Sequence, residues 1–442
     1  MHRMARGTRH CRRIAGRLHP EQRRHAVRAV ILVSFITKAP RARRTLFFGS
    51  AMHIWSDLFF AVMVPLLPFI KEDMDLSFTE VGMLRSVFNG ASAVLQVPAG
   101  FLAEGMGEFW LLIWGNIWVA AGLAAMAASP VFVLLLASSA IGGLGGGAQH
   151  PLASSMVSRA YDDRGRSTAV GTVNFAGDLG KMLAPAVAGI FAVSFGWRSV
   201  LLIVSVSGAV FMLCSMLTRR VVDMGRPAAS ERAGSADSGV DDNARMGGFI
   251  TLSGLGILDS AARSGSLVFL PFVLESKGLG LAQVSGMLFL LFAGGAAGKF
   301  VCGWLGDRIG TVSLIWWTKG LTAVMLVIAT AAPAWTMAPL MVLTGIGLNG
   351  TSSVLYATVA EFVPATRRGR FYGFFYTTNE AGTIIAPLVY GLIADLASLK
   401  VTMVVMGIAT ATILPASLTL RKHLVPRIVG RSNGIRSVRK GH

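Results

Sequence analysis

The sequence predicts an all-α membrane protein in which twelve transmembrane helices form two pseudo-symmetric six-helix bundles. Three observations carry this reading. Hydrophobic residues fill 53% of the 442 positions and charged residues only 14%, with a mean hydropathy of +0.60; a soluble domain carries about 25% charged residues. Apolar runs recur between short polar breaks, and a spanning helix needs ~20 apolar residues. Landmarks of the first half return in the second at a nearly constant offset. The 51 glycines fit the same picture, because small residues let membrane helices approach closely.

In chain order, residues 1–44 are a basic tail with 13 Lys/Arg and one acid. The apolar stretch 27–36 is too short to span, and no small-residue cleavage site follows, so no cleavable signal peptide is expected. The first 30 or so residues also fit a start codon assigned too early. Spans are expected at 45–70, 79–103, 109–128, 130–158, 167–195 and 197–218, forming the bundle 45–218. A polar linker, 219–247, contains Pro227 and balances five acids with five bases. Six more spans at 248–275, 280–305, 311–332, 335–361, 369–395 and 399–421 form the bundle 248–421. A second basic tail covers 422–442.

The net charge of +19 suggests nucleic acid at first sight. Its location argues otherwise. It concentrates in tails that flank apolar spans, where anionic lipid headgroups are the expected partner and nucleic acid is not. With both termini in the cytoplasm, that side holds 32 Lys/Arg and the opposite side four, Lys71, Arg198, Lys277 and Lys400. Such asymmetry orients a multi-pass protein. Without the tails the ratio is still 12 to four. Cys11, Cys214 and Cys302 are too dispersed for a disulfide framework or a zinc site, and no metal or cofactor is expected.

The repeat pairs Pro68-Phe69 with Pro271-Phe272, and Gly100, Glu104 and Gly107 with Gly303, Asp307 and Gly310, at offset 203. Gly171, Gly180, Pro185 and Gly189 return as Gly373, Gly382, Pro387 and Gly391 at offset 202. Arg164-Gly165-Arg166 returns as Arg368-Gly369-Arg370 at offset 204. Two parallel halves about an axis along the membrane normal account for this.

Two of these motifs are candidate gating elements. Gly303, Asp307, Arg308 and Gly310 combine a tight turn with an acid able to cap a helix or pair with Arg, a latch that could break as the bundles rock. The first-half copy is degenerate: Glu104 holds the acid position, Gly105 stands for Arg, and Glu108 sits where a base is usual. An ordinary charged turn is the plainer reading. Gly180 with Pro185, and Gly382 with Pro387, give spans five and eleven close packing and a bend, which can serve antiport or packing alone.

Charges inside spans are costly in lipid and are therefore candidate functional groups. Asp57 lies ~12 residues, hence ~18 Å, into span one, near mid-bilayer. Asp259 is its repeat partner in span seven, and Glu380 in span eleven matches Asp178 at offset 202. Burial raises a carboxylate pKa and a nearby base lowers it. Asp57 and Glu380 have no base within a turn of their own helices, so both are expected proton carriers. Asp178 with Lys181, and Asp259 with Arg263, share helix faces and read as pairs that are either structural or open to bind substrate. Arg85 is a further candidate for an anionic group. Lys299 and Lys319 are expected to be structural or to snorkel. His53, one turn before Asp57, and His150, before Pro151, suit a proton relay; a lone helix histidine is otherwise simply hydrogen-bonded.

The loop signature at 303–310 and the glycine-proline pattern of span five resemble those of the major facilitator superfamily over 45–421. A narrower resemblance, to fosmidomycin-resistance-type transporters, rests on His53, Asp57, Pro65, Pro68, Lys71-Glu72-Asp73, Leu76-Ser77-Phe78, His150-Pro151 and Ser154-Ser155. Asp178 and Lys181 depart from that branch. The resemblance implies an alternating-access carrier in the bacterial inner (plasma) membrane. Its cavity would be lined by spans one, two, four, five, seven, eight, ten and eleven, and it would export a small polar or anionic compound in exchange for protons. Asp57, Glu380, His53 and His150 would then handle protons. Arg85, Arg263, Asp259, Asp178, Lys181, Asn174, Asn349, Tyr356, Tyr376 and Asn379 would meet substrate. Import of small organic acids is the alternative. A non-transporting sensor is disfavoured, since the longest loop is 29 residues. Enzyme motifs such as His-Glu-x-x-His, a nucleophile elbow or a phosphate loop are absent from the sequence. A monomer is expected, since one chain holds both halves.

Overall fold

The computed structural model describes residues 41–161, 163–222, 242–363 and 368–424. Most of both expected tails and of the 219–247 linker lies outside the described residues. Within them all regular structure is helical: α1 (Arg41–Asp73), α2 (Phe78–Met106), α3 (Glu108–Ala127), α4 (Phe132–Leu144), α5 (Gln149–Ala160), α6 (Asp163–Ser215), α7 (Asp242–Glu275), α8 (Leu281–Ile309), α9 (Thr311–Ala331), α10 (Met337–Phe362), α11 (Arg368–Leu396), α12 (Leu399–Ala411) and α13 (Ile413–Arg421). Span four is composite, because the glycine run tightens into a 3-10 turn, Gly145–Ala148, between α4 and α5. Spans five and six are two helical stretches of α6 that meet at a non-helical kink, Gly196 (φ 75°, ψ 166°), a conformation open to glycine.

Nine helical segments among the described residues are long and apolar enough to cross a membrane. This differs from the expected twelve for two reasons. Segment 168–218 counts once despite its break, and α2 and α11 are not among the nine. The last two carry Arg85, Asn89 and Gln96, and Asn379 and Glu380, within their apolar surface.

The sequence repeat returns as backbone geometry. Gly107 (φ 79°, ψ 146°) ends α2 and opens α3, and Gly310 (φ 83°, ψ 159°) does the same between α8 and α9. At the start of α2 the Ser77 amide donates to Glu80 Oε2 at 2.8 Å; at the start of α8 the Gly280 amide donates to Gln283 Oε1 at 2.9 Å. Both are capping contacts that satisfy an amide the helix leaves open.

Packing differs between the two ends of the helices. One large core draws on both halves of the chain, from Leu67, Leu84 and Val200 to Phe269, Leu288 and Met406. Toward the other end the core splits. Phe48, Met52, Phe109 and Met156 cluster with first-half residues only, and Leu252, Ile315, Val359 and Phe375 with second-half residues only. At the shared end α2 lies on α11 so closely that a Cβ at Gly82 would run into the Pro387 carbonyl, and one at Gly391 into the Phe78 carbonyl. Asp395 of α11 accepts from the amides of Phe78 (2.8 Å) and Thr79 (2.7 Å) and from the Thr79 hydroxyl (2.5 Å). It caps a helix from the other half of the chain, where an anion is favoured. At the same end Arg198 pairs with Asp73, and Lys277 donates to the carbonyls of Ala332 (2.6 Å) and Thr330 (3.3 Å). Partial burial, then the neighbouring Lys400, hold the Lys277 ammonium below its ordinary value. At the split end the space beside Gly171, Gly303 and Gly373 is open.

Candidate functional site

Midway between these ends α1, α6 and α8 bring together a chain of charges. His53 Nε2 lies 3.6 Å from Asp57 Oδ2. The Lys181 ammonium stands 3.2 Å from Asp57 Oδ2 and 3.4 Å from Asp178 Oδ1. The Lys299 ammonium donates to both Asp178 oxygens, at 2.6 and 2.8 Å. Gly177 permits this arrangement: a Cβ there would meet Asp57 Oδ2 and the His53 ring. Phe175 and Phe300 meet edge to face at 5.4 Å on the same pair of helices.

A second cluster lies in the other half of the chain. Lys319 of α9, fully buried, is ion-paired with Asp259 of α7, and Arg263 Nη2 stands 3.6 Å from the same carboxylate. Arg263 also donates to Ser260 at 3.1 Å. Glu380 of α11 is partly buried, as is Gln96 of α2. Tyr356 stacks on Tyr376 at 4.7 Å.

The two clusters differ from the expected arrangement in three ways. Asp57 is not a lone carboxylate, because Lys181 approaches it from another helix. Lys299 and Lys319 are not snorkelling; each holds a carboxylate inside the protein. Arg85 is buried and donates to the Phe60 carbonyl at 2.9 Å, so its guanidinium is engaged by backbone. The two helix-face pairs, Asp178–Lys181 and Asp259–Arg263, are present as read, and each gains a further cation. Asn349 packs on Gly295 of α8, Asn379 on Gly256 of α7, and Asn174 is exposed.

Gly180 and Gly382 lie equivalently, each against the backbone of the helix that bears the first acid of its half, at Ile54 and Ile257. Pro185 and Pro387 lie within α6 and α11. Arg308 stacks over Trp304 at 3.7 Å, and the surroundings of Gly303 and Gly310 are open. The side chains of Glu104, His150 and Asp307 lie outside the described ones. Glu108, where a base was expected, is ion-paired with Arg159.

Sequence reading missed Gly177 and the bridging roles of Lys299 and Lys319. One signal was available. Lys299 is the repeat partner of Gln96 at offset 203, as Glu380 is of Asp178 at offset 202. The pairs Asp178–Lys299 and Glu380–Gln96 are therefore repeat-related positions, on α6 with α8 and on α11 with α2. In each pair the two helices come from opposite halves of the chain.

Comparison with known proteins agrees with this architecture. The family model described as Major Facilitator Superfamily matches residues 46–248 and 252–440. The Fosmidomycin resistance protein of Escherichia coli (strain K12) is 25% identical over 364 residues, 79% of this chain and 86% of that protein. The Hexuronate transporter of Bacillus subtilis (strain 168) is 23% identical over 354 residues, 74% of this chain and 82% of that protein. A solved bacterial homolog of the human lysosomal transporter Spinster, in an inward-facing and occupied conformation, superposes with a TM-score of 0.75 at 15% identity, covering 88% of this chain and 98% of that one. The chain belongs to the Major Facilitator Superfamily, and it is a multi-pass membrane protein of a transporter family.

Proposed function

We propose that this member of the Major Facilitator Superfamily is a proton-coupled secondary carrier of small organic anions that works by alternating access. One observation carries the reading. Three of the four cationic side chains at the centre are partly exposed, Lys181 at 34%, Lys299 at 30% and Arg263 at 25%, with Lys319 fully buried, while the carboxylates Asp57, Asp178 and Asp259 are exposed by 2–9%. A solute entering between the halves meets positive charge first. Asn174, Asn349, Asn379, Tyr356 and Tyr376 supply neutral contacts around it.

The remaining architecture follows from this reading. The nine apolar segments, the break in α6, and α2 and α11 as cavity-lining spans make twelve, six in 45–218 and six in 248–421. Polar residues on α2 and α11 are what lining a wet cavity requires. The Lys/Arg asymmetry puts the termini in the cytoplasm, so the shared-core end faces outward and the conformation is inward-open. The inward-facing relative supports this assignment. The segment 303–310, which the structure makes the last turns of α8 and its capping Gly310 rather than the loop expected, with Arg308 parked on Trp304, is then a latch at rest, to be engaged when the inner side closes.

Export is supported by the fosmidomycin-resistance resemblance. Import of organic acids is supported by the exposed cations and by a hexuronate-transporting relative, hexuronate being a carboxylate. The test of the anion reading is uptake of radiolabelled benzoate, glucuronate and fosmidomycin into proteoliposomes. Saturable transport of at least one is expected, with kcat/KM reduced by about tenfold or more in Arg263→Gln, the scale of one charged hydrogen bond. Transport confined to neutral or cationic compounds contradicts it.

A further inference from the structure

Building on the anion reading, we propose that the cargo's oxyanion group binds at Arg263, rather than at Lys181 or Lys299, and that Lys319 is the positioning residue that leaves Arg263 free to take it. The argument starts from the charge each acid already meets. In the first cluster Asp57 and Asp178 face Lys181 and Lys299, two negative charges against two positive. Lys299 is tied to both oxygens of Asp178, at 2.6 and 2.8 Å, and Lys181 stands between the two acids at 3.2 and 3.4 Å. In the second cluster one acid, Asp259, faces two cations, Lys319 and Arg263. An unbalanced charge is costly in a low-dielectric interior, so this cluster is the one that an added anion completes.

Of its two cations, geometry leaves Arg263 for the cargo. Lys319 is fully buried, makes the closer approach to Asp259 and donates to the Gly347 carbonyl at 3.3 Å. Its ammonium is out of a solute's reach. Arg263 is 25% exposed and stands 3.6 Å from the same carboxylate, beyond ordinary hydrogen-bond length. Among the described residues its one hydrogen bond goes from Nη2 to Ser260 at 3.1 Å, and Nε and Nη1 donate to none of them. A guanidinium carries five N–H donors in a fork that matches the oxygens of a carboxylate or phosphonate in pairs. Asp259 is its one ion-pair partner among the described residues, and Glu380 is not ion-paired to it. Without Lys319, Asp259 and Arg263, four apart on one helix face, would neutralise each other, and the cargo would have to displace the acid.

The first half of the chain shows the same acid without this arrangement. Asp57 is the repeat partner of Asp259. At offset 203 the counterpart of Lys319 is Asn116, a fully buried amide that donates to Gln149 Oε1 at 2.8 Å and to the Leu112 carbonyl at 3.1 Å. The counterpart of Arg263 is Phe60 at that offset and Ala61 at offset 202. The second half therefore carries both cations at positions where the first half carries neither: a buried one that neutralises Asp259, and a partly exposed one that Asp259 does not hold.

Equilibrium binding of radiolabelled benzoate, glucuronate and fosmidomycin to the purified full chain tests this, with affinity and the number of sites per folded molecule read separately. Lys319→Gln should weaken affinity by about tenfold or more, the scale of one charged hydrogen bond, at an unchanged number of sites. Adding Asp259→Asn restores the charge count and should recover most of the lost affinity. Ser260→Asp leaves Lys319 and Asp259 in place, sets a second acid beside Arg263, and should weaken binding as Lys319→Gln does. The last two variants decide the matter if Lys319→Gln alone does not fold. Unchanged affinity in Lys319→Gln or Ser260→Asp, loss of sites at unchanged affinity, or a folded double variant that stays weak overturns the role of Lys319. Unchanged affinity in Arg263→Gln overturns Arg263 as the docking group. In each of these cases saturable binding by the unmodified chain keeps the anion reading standing. Binding of none of the three acids by the unmodified chain overturns that reading, and this inference with it.

Discussion

Lys319 shows how much a single residue holds at this site. Its ammonium is fully buried on Asp259, whose side chain is 3% exposed, and it donates to the Gly347 carbonyl at 3.3 Å. Removing one partner of a buried pair leaves a charge with less compensation, at a cost of about 3–5 kcal/mol. Lys319→Ala should therefore lower the unfolding midpoint in detergent far more than Lys299→Ala, whose ammonium is partly exposed. Equal, small shifts would mean that Arg263 alone satisfies Asp259. Legibility at this scale followed sequence distance. Asp178–Lys181 and Asp259–Arg263 could be read because three- and four-residue spacings share a helix face. The partner of Asp57 lies 124 positions away and that of Asp259 on α9 lies 60 away, so helical periodicity carries no information about them. Beside the acid pairs Asp57 with Asp259 and Asp178 with Glu380, the repeat also left Lys299 and Gln96 as positions related by offset 203.

Among elements, and with the orientation proposed above, α2 and α11 decide how the outward end closes. Gly82 and Gly391 remove the side chains that would separate them, and Asp395 caps α2 across the contact. Loss of a helix cap costs about 0.5–2 kcal/mol, and 1.4 kcal/mol is tenfold in an equilibrium. Asp395→Ala should shift the population toward outward-open by roughly that factor. Distances between spin labels at the outer ends of α2 and α11 would report it; an unchanged distribution would mean that packing alone closes this end. Most elements were legible, since apolar runs between turn residues define them, and even the break in α6 falls at Gly196, between the expected spans 167–195 and 197–218. No polar loop marks that division, because glycine at a positive φ permits a bend without one. The composite form of span four was hidden similarly, inside a glycine run that reads as unbroken apolar sequence.

For the whole molecule, the split core is the decisive feature. Both halves share a core at one end and keep separate cores at the other, which the proposed function reads as a carrier open to one side. The internal repeat made the two related halves legible. The open side was not, since periodicity is the same in every conformation. The proposed function is proton-coupled carriage of a small organic anion. The decisive measurement uses proteoliposomes holding an interior pH dye, with no gradient imposed and labelled organic acid added outside. Interior pH is expected to move as labelled acid enters, acidifying for symport and alkalinising for antiport, and Arg263→Gln is expected to slow both signals together. Anion entry with no movement of interior pH, or no carrier-dependent anion entry, would contradict it.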